Sequence, residues 1–112
     1  MNYKQVLDFW FDPDNKEFWF SKSDEFDLEL EEKFGHTLQQ AMQCELWTWR
    51  ETAEGRLAEI IVLDQFSRNL FRDHPASFAQ DPLALSLAQE AVRLDLDQQL
   101  APDQRCFMYM PF

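Results

Sequence analysis

Apolar positions recur along most of this chain at the three-to-four-residue step of an α-helix, and no stretch alternates as a strand would. Val6, Leu7, Trp10 and Phe11 give residues 3–11 an apolar side with Asn2 as N-cap, and Asp12-Pro13-Asp14-Asn15 ends that helix. From Asp24 to about Glu45 the apolar residues Phe26, Leu30, Phe34, Leu38, Ala41 and Met42 step by four or three. Ser21 or Ser23 supplies the cap of this helix. Gly35 sits inside it, at a cost of about 1 kcal/mol relative to alanine, and marks either a close helix contact or a local break. Leu46-Trp47-Thr48-Trp49 continues or ends the helix, and residues 51–55 form a turn.

The central helix should run from residue 54 or 55 to Arg72. Ile60, Ile61, Val62 and Leu63 are apolar in every direction, as in a helix buried on all sides. A short turn is expected in residues 76–80. Asp81-Pro82 then starts a helix with Asp81 as N-cap, and its apolar face is Leu83, Ala84, Leu87, Ala88, Ala91 and Val92. Ala101-Pro102 opens the last helix, which Pro111 cuts. The pattern predicts an all-α fold of five to six helices in a single domain over residues 1–112.

The second half of the central helix changes character. With Asp64 at zero, a step of about 100° per residue puts Arg68, Arg72, Gln65 and Asn69 within about 140° on one side. Phe66, Leu70 and Leu63 take the other side. Asp64 and Arg68 have the spacing of a helical ion pair, and Arg68 and Arg72 repeat it with like charges. Two arginines against one acid leave a local positive excess. That makes Asp64, Gln65, Arg68, Asn69 and Arg72 the candidate ligand-binding set, a carboxylate or anion site with the arginines as forked donors. The competing reading is an internal network closed by acids elsewhere, such as Asp73 or Asp81. For catalysis the candidates are Asp64, His74 and Ser67, and no spacing joins them into a triad.

Composition removes several alternatives. Ten basic residues face 21 acidic ones, a net charge of -11, which argues against nucleic acid and anionic membrane surfaces as partners. No apolar run approaches a membrane span, and the start lacks a basic segment followed by an apolar one, so the expected location is the cytoplasm. Cys44 and Cys106 are then expected as free, buried thiols. His36 and His74 stand alone, without metal-ligand spacing. The run Asp12-Pro13-Asp14-Asn15 lacks the glycine of a calcium loop, so neither a metal nor a cofactor is expected. Glu25, Glu29, Glu32 and Lys33 read as a solvated helix face, and Phe18-Trp19-Phe20 as core.

The segments L-D-Q-F-S-R-N-L-F-R (63–72), S-F-A-Q-D (77–81) and Q-R-C-F-M-Y-M-P-F (104–112) resemble the bacterial family known as domain of unknown function 924. So do L-D-F-W-F (7–11), residues 19–27, and the link from L-W-T-W to E-G-R-L-A over 46–58. The resemblance covers nearly the whole chain and implies a tetratricopeptide-like array of antiparallel helix pairs, although no internal period is evident. Ser67 stands where the family often has proline, and Cys44 where it often has glycine. The resemblance also implies further helices beyond Phe112, so Phe107, Met108, Tyr109 and Phe112 are expected to lack cover and to favour self-association. It brings no known reaction. By fold analogy the preferred function is a helical module that binds a protein or peptide, its arginines reading an acidic group. The alternatives are a small hydrolase-like enzyme for an anionic metabolite with Asp64 as acid or base, and a purely structural stripe.

Overall fold

The structure is a computed structural model that describes residues 2–112. All the regular elements among them are helical: α1 (Tyr3–Trp10), α2 (Asp24–Met42), α3 (Ala53–Ile61), α4 (Ser67–Leu70), α5 (Asp81–Arg93) and α6 (Pro102–Tyr109). Short 3-10 turns fall at Pro13–Phe18, Trp47–Glu51, Pro75–Phe78 and Leu96–Gln99. A π turn, Val62–Phe66, joins α3 to α4 in one rod. The all-α fold read from the sequence holds.

Caps explain most of the boundaries. Asn2 and Gln5 form a reciprocal capping box on α1. Of the two serines before α2, Ser23 accepts from the Phe26 amide and is the cap, while Ser21 donates to the Glu17 carbonyl. α2 ends at Met42, before the expected Glu45, because Cys44 turns left-handed at φ 59°. The Cys44 amide donates to the Ala41 carbonyl and the Glu45 amide to the Gln40 carbonyl, the paired bonds of a Schellman ending. Glycine takes that backbone conformation without strain.

α3 is the hub, touching α1, α5, α6 and the 47–51 turn. It starts at Ala53, where Thr52 accepts from the Gly55 amide. Gly55 is required for a different reason: a Cβ there would lie 2.0 Å from the Trp49 carbonyl oxygen. Leu57, Ala58, Ile60 and Ile61 are fully buried, as the all-round apolar pattern predicts. Glu59 is also fully buried, which that pattern conceals, and both of its oxygens accept from Arg50 at 2.8 Å. This forked bond holds the Arg50 guanidinium above its ordinary pKa.

Around this hub lies an aromatic core. Trp10 meets Trp19, Phe26, Phe66 and Phe107, with ring centroids between 5.5 and 6.4 Å apart. Phe107 is covered by Trp10, Phe11, Trp19 and Phe20, and Met108 is fully buried. The expectation of an uncovered apolar end therefore fails for these two residues and stands only for Tyr109 and Phe112, which are exposed. Tyr109 nevertheless donates its hydroxyl to the buried Asp97 carboxylate. Phe20, grouped with the core from sequence, is 75% exposed. Cys44 and Cys106 are free as expected but exposed: one is at a helix ending and the other on the outer side of α6.

Gly35 neither breaks α2 nor makes a close contact, since a Cβ there would meet only the Glu31 Cγ at 3.7 Å. Gly35→Ala should therefore stabilise the protein by about 1 kcal/mol. Cys44→Gly should gain roughly 1 kcal/mol by relieving the left-handed backbone. Gly55→Ala should lose about 2 kcal/mol or more, because the clash is with backbone. Urea denaturation midpoints at constant slope check all three.

Candidate functional site

The polar residues of the central rod begin in the π turn, where one extra residue widens the helix before α4 resumes. The rod then stops at Leu70, two residues short of the expected end. Phe71 is its C-cap, Arg72 lies just past the helix, and Asp73 turns left-handed at φ 61°. The five candidate residues stay on one end of the rod but divide between two neighbours.

Towards α5, Asp64, Gln65 and Arg68 form one group. Asp64 is buried and accepts from Gln65 Nε2 at 2.8 Å. The Arg68 guanidinium bonds both oxygens of Asp81, at 2.9 and 3.1 Å, and donates to the Ser77 carbonyl. It also lies 3.8 Å from Asp64 and 4.5 Å above the Phe78 ring. Asp81 was expected to cap α5. It is instead the first residue of that helix, with Gln80 at the cap position, and its carboxylate is turned to Arg68.

Towards α2, Asn69 and Arg72 share Asp27. Asn69 Nδ2 donates to Asp27 at 2.9 Å, and Arg72 donates through Nε at 2.6 Å and through Nη2 at 3.4 Å. The positive excess expected from the stripe is thus cancelled: Asp27 and Asp81 each take an arginine, and Asp73 bonds neither. Helical spacing did carry a signal for Asp27. It precedes Phe34 by seven residues and so lies within about 20° of that buried ring on α2.

The arginines are not sealed in. Their side chains keep 35% and 30% of their exposure and line an open cleft of about 650 Å³ with Lys22, Asp73, His74, Pro75, Ser77 and Phe78. Arg72 uses two of its five N–H groups on Asp27, so three face no acceptor among the described residues. Nothing in the sequence pattern pointed to Lys22 or Phe78, which approach from the segment before α2 and from the 75–78 turn.

The catalytic candidates do not converge. Asp64 does not line the cleft, and Ser67 is fully buried with its hydroxyl unpartnered. His74 lines it, with Nδ1 accepting from the Ala76 amide to cap the 75–78 turn. Among the described residues, no three His, Cys, Asp or Glu side chains are grouped to hold a metal ion.

Burial raises the Asp64 carboxyl above its ordinary pKa, against the opposing Gln65 hydrogen bond and Arg68 charge. A carboxyl raised on folding adds stability that is complete below its unfolded value of about 3.9 and is lost as pH rises through the folded value. Asp64→Asn stays neutral throughout. Its stability relative to the parent should therefore be more favourable at neutral pH than near pH 3, as read from paired urea titrations. A difference independent of pH would show that burial does not govern this carboxyl.

A family described as bacterial proteins of unknown function (DUF924) matches residues 6–112. A solved structure of a protein of unknown function from Agrobacterium tumefaciens superposes with a TM-score of 0.90 at 40% sequence identity. That match covers 97% of this chain and 61% of the other, so the chain spans about three fifths of that relative's length. No curated protein matches the chain.

Proposed function

The chain belongs to the DUF924 family of bacterial proteins of unknown function, and from its geometry we propose that it is a helical binding module whose cleft takes an acidic group of a peptide or protein partner. The observation that carries this is Arg72: it lines the cleft with three N–H groups unspent, on a guanidinium already oriented by Asp27. A forked donor held in place by one carboxylate offers its remaining edge to a second at little ordering cost. Lys22, whose side chain is 62% exposed and only loosely paired with Asp24 at 4.0 Å, adds a mobile charge. The α5 half of the stripe has a different task. Arg68 is spent on Asp81 and Ser77, and it fixes the wall opposite. A hydrolase reading gains nothing from a cleft that Asp64 and Ser67 do not reach.

Thermal unfolding with an acetylated, amidated hexaglutamate peptide, and with its hexaglutamine counterpart, tests this. The acidic peptide at 100 times its Kd should stabilise the fold by about 2.7 kcal/mol, a rise in Tm on the order of 10 °C. The neutral peptide should give no rise. Arg72→Lys keeps a charge for Asp27 but loses the free fork, and Lys22→Gln leaves the network untouched; both should shrink the rise. Equal shifts for the two peptides, or shifts unchanged in both variants, would overturn the proposal.

A further inference from the structure

We infer that the group taken by this cleft carries a flat apolar moiety beside its anion, and that Phe78 is the surface that reads it. This rests on the acidic-group reading above and adds a second, independent feature. Phe78 lies outside the core, 61% exposed, yet it lines the same cleft as Arg72 and Lys22. One face of its ring is covered by the Arg68 guanidinium at 4.5 Å. That guanidinium is itself fixed by both Asp81 oxygens and by the carbonyl of Ser77, the residue immediately before Phe78. The backbone there is a 3-10 turn closed at its start by the His74 side chain and at its end by the Ala79 amide bonding the Ala76 carbonyl.

The ring is thus covered on one face by Arg68 and carried on a turn closed at both ends, and most of its surface remains exposed. An aromatic ring held this way loses little freedom when a partner stacks on it, the usual condition for an aromatic anchor in recognition. Pro75 and the His74 imidazole line the same cleft. The cleft therefore sets the N–H donors of Arg72 and Lys22, with the Asp73 carboxylate among them, beside the Phe78 ring. A bare carboxylate satisfies the first and leaves the second wet. Phe20 is exposed too, but it stacks on Phe107 and does not line this cleft.

Isothermal titration with three acetylated, amidated dipeptides decides this. The probes have the sequences Asp-Phe, Asp-Ala and Asn-Phe. On the parent protein Asp-Phe should bind about fivefold more tightly than Asp-Ala, the gain expected from one aromatic stack. Phe78→Ala should bring the two to equal affinity, while Phe78→Tyr should keep the preference. Circular dichroism of each variant confirms that the helices are intact. Equal binding of Asp-Phe and Asp-Ala to the parent overturns the role of Phe78 and leaves the anion site standing. Equal binding of Asn-Phe and Asp-Phe, or no binding of any probe, overturns the anion site and this inference with it.

Discussion

Trp10 is the residue on which the arrangement of helices depends. Its indole is completely buried and touches rings from the segment before α2, from α2, from the π turn and from α6. Aromatic side chains bury the most surface per residue and fix relative angles through edge and offset contacts. Here a single ring sets the positions of α2, which carries Asp27, and of the π turn, which carries Asp64. The core thus positions the elements that carry these ion-paired residues.

The ion pairs then act locally. Arg68 on the rod and Arg72 just past it join it to different neighbours, α5 and α2, so the two together span the rod's exposed end. Arg50 and Glu59 do the same at the other end of the rod, with Glu59 fully buried and both of its oxygens satisfied. In a chain with 21 acidic residues and 10 basic ones, three of the arginines are committed to these three joints. Arginine suits the task because its fork binds two oxygens at once and keeps its charge when partly desolvated.

Periodicity made much of this legible, because a 3.6-residue repeat of apolar positions needs no knowledge of the partner helix. It identified the apolar face of α2, the buried start of the central rod and the grouping of Asp64, Gln65, Arg68, Asn69 and Arg72. It did not reveal how that group divides, because the division depends on Asp27, 42 residues from Asn69 in sequence, and on Asp81, 13 from Arg68. Glu59 was hidden for a related reason: within an apolar run, a charged residue looks like an exception until its partner is placed. At Cys44 the resemblance tells that glycine is frequent in the family but not why. The structure gives the physical content, a left-handed ending that glycine enters freely.

The π turn has a consequence for how such a site survives change in its gene. A helix resumes after a wide turn with its faces offset by one residue, about 100° of rotation. Losing one residue between Val62 and Phe66 would let an ordinary helix form, and because that turn holds one residue more than an α-helical turn, Arg68, Asn69 and Arg72 would keep the faces they present to Asp81 and Asp27. The same loss within α4 has no surplus to draw on and would rotate Arg72 by about 100°. The site is therefore encoded by a count of residues as much as by their chemistry, and the turn is where that count has slack.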